Sequence, residues 1–66
     1  MTPLERFTAI YTEIRRKQDS ARETARAMAS RYVATNKPED RAQSQMYSAI
    51  AEAWVDAGNL ILPLKP

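Results

Sequence analysis

Apolar or small residues recur along the first half of the chain at alternating spacings of three and four. The series runs Leu4, Phe7, Tyr11, Ile14, Gln18, Ala21, Ala25, Met28 and Tyr32. That period is the mark of one long helix with a seam to bury. Its start is written locally. Thr2 can accept from free backbone N–H groups, Pro3 suits the first helical position, and Glu5 can reach back to close a capping box. No proline or glycine follows until Asn36-Lys37-Pro38, which gives a helix over residues 3–35, roughly 50 Å long at about 1.5 Å per residue.

Asn36 tolerates the left-handed backbone that ends helices, and Lys37, standing before proline, is pushed toward extended dihedrals. Pro38 then opens a second helix, with Glu39 and Asp40 placing negative charge at its positive end. Gly58 is the natural stop for this helix, so it spans 38–57. Residues 58–66 read as an extended apolar tail, too proline-rich to continue.

A connection this short makes the helices antiparallel neighbours. The fold class is therefore all-α: an antiparallel two-helix hairpin in one domain, with a returning C-terminal tail. The shorter second helix should end near Lys17, which leaves Phe7, Ile10, Tyr11 and Ile14 without a partner inside the hairpin. Extended residues reach about 3.3 Å each, so the tail, with Leu60, Ile61 and Leu62, can run back over them. These seven residues are the expected tail or dimer contacts. The same tail can also be exchanged between protomers or dock elsewhere, but left free it would be an aggregation hazard.

On the second helix, Met46, Ala49, Ile50, Ala53 and Ala57 form the stripe expected to meet the first. Tyr47, Ala51 and Trp54 widen the apolar arc beyond what one neighbour covers. A 66-residue chain buries little surface alone, so pairing into a four-helix homodimer is the expected way to cover the flank. Gln18, the one polar seam residue, either fixes register or sits where the seam meets solvent.

Composition works mainly by exclusion. The chain has no cysteine, no histidine and one glycine. These absences remove disulfides, thiolate metal sites, the commonest general base and glycine-rich phosphate loops. The carboxylates offer no catalytic pair, and no serine or threonine has a base beside it. No catalytic residue, cofactor or metal ligand is assigned, and a non-enzymatic protein is expected. With neither an apolar leader nor a run of ~20 apolar residues, the expected location is the cytoplasm, without membrane contact.

Net charge is only +2. Arg15, Arg22 and Arg26 fall on one flank of the seam, but Asp19 and Glu23 stand at helix-neighbour spacing to Arg22 and Arg26, which favours a self-paired, solvated face. The expected function is a protein-binding module that captures a partner protein, to sequester, inhibit or chaperone it. Tyr47, Ile50 and Trp54 would be its contacts, with Arg15, Arg22 and Arg26 steering an acidic partner. The alternative is a dimeric nucleic-acid-binding regulator using the arginine flank. In size and topology the chain resembles quorum-sensing anti-activators, small phage-encoded inhibitors of host proteins and secretion-needle co-chaperones or assembly subunits. A likeness of this kind assigns no residues.

Overall fold

The computed structural model covers residues 1–66 and is a helical hairpin without strands. Helix α1 spans Pro3–Thr35 and α2 spans Pro38–Ile61, and a single 3-10 turn follows at Leu62–Leu64. The Thr2 side chain accepts from the Glu5 N–H at 3.1 Å and the Glu5 carboxylate accepts from the Thr2 N–H at 3.4 Å, so both halves of the capping box form. Asn36 takes the left-handed conformation at φ 54° and its N–H donates to the Tyr32 carbonyl at 2.7 Å. Lys37 is extended, as its proline neighbour requires.

Contacts between the helices run in opposite order. Asp40 faces Arg31 and Thr35, Ser44 reaches Ala25, Trp54 meets Lys17, and Gly58 lies against Tyr11 and Ile14. The Cα envelope measures 49 × 17 × 11 Å, so the molecule is one layer of two helices. The buried seam is narrow and made of small residues: Ile14, Gln18, Ala21 and Ala25 on α1, Ala51 and Gly58 on α2. Short side chains let the helices approach closely. Ser44 shows how closely, since its hydroxyl donates to the Ala25 main-chain carbonyl at 3.2 Å. Gln18 makes no hydrogen bond to the chain, and no buried side-chain polar atom lacks a partner. Its stem thus fills the seam while its amide reaches solvent.

Three expectations change. Gly58 does not stop α2: the helix passes through it with no positive φ and continues to Ile61, so residues 58–66 are not an extended arm. Of the α1 residues expected to need that arm, Tyr11 and Ile14 are met by α2 itself at Gly58, while Ile10 stays exposed. The face of α2 that meets α1 is also rotated. Tyr47, Ala51, Trp54 and Gly58 line the seam. Met46, Ala49, Ile50 and Ala53 are exposed, and Ala57 is half-buried. What the pattern cast as flank is the interface, and most of what it cast as interface is free.

A methyl group at Gly58 would sit 3.7 Å from both Ile14 Cγ2 and Tyr11 Cε2, which is ordinary contact. Glycine inside a helix costs about 1 kcal/mol relative to alanine. Gly58→Ala is therefore expected to raise stability by about 1 kcal/mol, which lifts the melting temperature roughly 4–8 °C in a domain this small. A lower melting temperature by circular dichroism would show that the helices cannot accommodate even one methyl there.

Candidate functional site

The two helices leave a groove on each side of the seam, and the grooves differ in chemistry. On one side, Ala9, Ile10, Glu13, Ile14 and Lys17 of α1 and Trp54 of α2 line an open trough of about 320 Å³ that is almost wholly apolar. It runs on into a second hollow of more polar lining, bounded by Arg16, Lys17, Ser20, Ala21 and Thr24 across from Tyr47, Ile50 and Trp54. Both hollows share Lys17 and Trp54, so they form one continuous face along the hairpin. The opposite side is a polar groove between Arg22, Ala25 and Arg26 of α1 and Ser48, Ala51 and Glu52 of α2.

Trp54 anchors the apolar face. It is half-buried, with Lys17 Nζ 5.8 Å from its ring centre. At this exposure such a cation–π contact contributes about 0.5–1 kcal/mol. Met46 and Ile50 extend the face along α2, at 50% and 37% exposure, and Ile10 at 56% extends it along α1. Phe7 and Tyr11, stacked at 5.8 Å, sit in the seam near the free end of the hairpin.

Glu13 borders the trough and binds Arg16 through two hydrogen bonds, from Nε at 3.0 Å and Nη2 at 2.5 Å. These bonds, with the charges of Arg16 and Lys17, hold the Glu13 carboxyl below its ordinary range; the same partnership raises the Arg16 guanidinium. A carboxyl lowered on folding stabilises above its unfolded pKa, and that support is lost as pH falls through the lowered value. Both side chains are exposed, so the effect on stability is small.

The residues singled out from the sequence divide between the two sides. Tyr47, Ile50 and Trp54 do share one hollow. Arg22 and Arg26 line the other groove, so they do not border those three. The cations beside the aromatic anchor are Arg16 and Lys17 instead. Lys17 stands seven residues after Ile10, a spacing that places both on one edge of α1, and this was the available signal. The expected Asp19–Arg22 and Glu23–Arg26 pairs do not form: the ion pairs present are Glu13 with Arg16 and Lys17, and Asp40 with Arg31. Arg15, Arg22 and Arg26 therefore stand without a carboxylate within 4.0 Å. Of the expected tail contacts, Ile61 is half-buried at the end of α2, while Leu60 and Leu62 are exposed.

Two polar residues at the turn had no assigned partner in the sequence. The Asp40 carboxylate is buried, accepting from Thr35 Oγ1 at 2.6 Å with Arg31 Nε 3.7 Å away. Thr35 Oγ1 is also 2.9 Å from the Arg31 carbonyl. Its single proton serves one acceptor at a time, and the charged carboxylate is the stronger. Neither helix is long and apolar enough to cross a membrane. No family model matches this chain, and no curated protein or solved structure does either.

Proposed function

We propose that this chain is a non-enzymatic protein-binding module that captures a partner protein by accepting an apolar helix of that partner against its Ile10–Lys17–Ile50–Trp54 face. One observation carries the reading: an almost wholly apolar trough on this side of the hairpin is continued by a hollow of mixed polar and apolar lining, and the two share a half-buried tryptophan. A large aromatic ring held in place by a neighbouring lysine offers contact area at little cost in side-chain entropy. The long troughs between two helices have the shape that an amphipathic helix fills. Arg16 and Lys17 at the border favour a partner with carboxylates flanking its apolar stripe.

The test uses variants that leave the hairpin seam alone. Ile50→Glu is expected to lower partner capture roughly a hundredfold or more, as burying an unpaired charge at an interface does, with helicity by circular dichroism unchanged. Arg22→Glu, on the other side, is expected to capture normally. Equal recovery of the same partner by wild type and Ile50→Glu from the native host would rule out this face.

A second reading, nucleic-acid binding, gains from the arginines that stand without ion pairs on the polar side. A protein using Arg15, Arg22 and Arg26 on phosphates would lose affinity steeply with salt, with a slope of about −0.9 per phosphate contacted. Absence of DNA or RNA binding at low ionic strength removes this reading.

A further inference from the structure

The net charge of the hairpin is not spread along the rod. Residues 22–48 carry five cations and three acids, and one of those acids, Asp40, is held by Arg31; the remainder of the chain is balanced, five against five. In this half, Arg22 and Arg26 line the polar groove, about 6 Å apart along the axis of α1. Arg41 stands seven residues before Ser48, which lines the groove across from them, so it falls on the same edge of α2. Ser44 reaches Ala25 and Asp40 reaches Arg31, which sets Arg41 level with the turn of α1 just beyond Arg26. All three arginines are exposed and have no carboxylate within 4.0 Å, that of Glu23 included. Toward the free end the same side changes character. Asp19 shares an edge of α1 with Arg26, and Glu52, two residues from the Trp54 that meets Lys17, stands level with it. Both acids lie between the levels of Arg15 and Arg22.

We propose that Arg22, Arg26 and Arg41 bind the phosphate backbone of double-stranded nucleic acid without reading its sequence, while the apolar face across the seam stays free for a protein partner. The first part rests on the nucleic-acid reading above and moves its site toward the turn and off Arg15; only the second part rests on protein capture. The chemistry of the groove favours phosphates. Its cations are all arginine, whose planar fork meets a phosphate through two parallel hydrogen bonds. No aromatic ring lines it, so an unpaired strand finds nothing for its bases to stack on, whereas a duplex presents its phosphates outward. Between the arginines lie only Ala25 and Ala51, so the groove has no large apolar anchor of the kind that holds a protein interface. Asp19 and Glu52 repel a backbone laid along the groove toward Arg15, and the contact ends at Arg22.

Fluorescence anisotropy of a labelled random-sequence DNA duplex, titrated with the chain between about 50 and 200 mM salt, tests the site. Three phosphate contacts give a logarithmic salt slope of about −2.7, so affinity is expected to fall roughly fortyfold over that range. Arg22→Gln, Arg26→Gln and Arg41→Gln should each reduce the fall to about twelvefold, with helicity by circular dichroism unchanged. Arg15→Gln and, on the apolar face, Ile50→Ser should leave it as in the wild type. A fall that answers to Arg15→Gln and not to Arg41→Gln overturns this site and leaves nucleic-acid binding standing, as does tighter binding of the unpaired strand. Displacement of the duplex by polyglutamate at equal charge concentration overturns it in favour of an acidic protein. No duplex binding at low ionic strength removes both the site and the reading it rests on. Weaker duplex binding in Ile50→Ser would show that the two faces are not independent, which overturns the second part.

Discussion

Ala51→Leu is expected to destabilise the hairpin by about 1–3 kcal/mol, the usual effect of forcing extra methylenes into a closely packed contact. Ala51 is buried at 4% exposure and belongs to a seam whose other members include Ala21, Ala25 and Gln18. Three further carbons there find little room, because Ala21 and Ala25 have no rotamer to change and only Gln18 can turn aside. The helices would have to separate, and separation stretches the Ser44 hydroxyl away from the Ala25 carbonyl it now reaches at 3.2 Å. In a domain of this size about 1 kcal/mol moves the melting temperature by 4–8 °C, so thermal unfolding followed by circular dichroism reads the effect directly. Ala27→Leu, exposed on α1, should change stability by under about 0.5 kcal/mol. If Ala51→Leu were as harmless as Ala27→Leu, the close approach that organises this fold would be disproved.

Asp40→Ala is expected to cost about 1–2 kcal/mol. Three contributions make up that figure, and they are unequal. The charge-assisted hydrogen bond from Thr35 is the largest, since bonds to ionised groups contribute about 1.5–3 kcal/mol when the partner is left with no alternative. Thr35 does have an alternative in the Arg31 carbonyl at 2.9 Å, and this brings the loss down. The carboxylate also sits in the first turn of α2, where the helix dipole favours negative charge by about 0.3–1 kcal/mol. The pair with Arg31 adds little, because the arginine side chain is 63% exposed and 3.7 Å away. Asp40→Asn keeps an acceptor for Thr35 and should lose about half as much. Urea unfolding midpoints at constant slope provide the comparison. A neutral Asp40→Ala would mean that Asn36 and Pro38 hold the turn without help from side chains across it.

Both predictions concern residues whose identity said little in the sequence. An alanine among many alanines carries no label for the seam, and Asp40 is fully explained as a first-turn acid until Thr35 is seen beside it. The elements that were legible are those whose causes lie within a few residues. The capping box at Thr2 and Glu5, the left-handed Asn36, the extended Lys37 and the proline that opens α2 all formed where their local chemistry put them. The seam of α1 was legible too, because its apolar arc is narrow enough to allow one orientation.

The arc of α2 is wide, so periodicity does not fix its orientation. Met46–Ala49–Ile50–Ala53 and Tyr47–Ala51–Trp54 are both continuous stripes, a rotation of part of a turn apart, and periodicity alone ranks the larger aliphatic set first. Close approach favours the other set, because Ser44, Ala51 and Gly58 are small at the positions where α2 crosses the Ala21–Ala25 stretch and Ile14. The same contact explains Gly58. As a helix stop it would need a positive φ, but continuing the helix keeps Gly58 on Tyr11 and Ile14 and leaves Ile61 half-buried. That burial outweighs a helix penalty of about 1 kcal/mol. Arg22 and Arg26 likewise answer to tertiary position: they border a groove shared with Ser48 and Glu52 of α2, and their nearest acids along α1 are left in water.

What the amino-acid order determined alone was two helices, both ends of the first, the start of the second and the turn between them, since backbone hydrogen bonding and φ/ψ preference act over four residues or fewer. The packing of one helix on the other decided which stripe of α2 was hidden, how far that helix ran, and which side of the hairpin was left apolar. Each of those outcomes depends on how closely two backbones can approach, a distance that no residue specifies until its partner is in place.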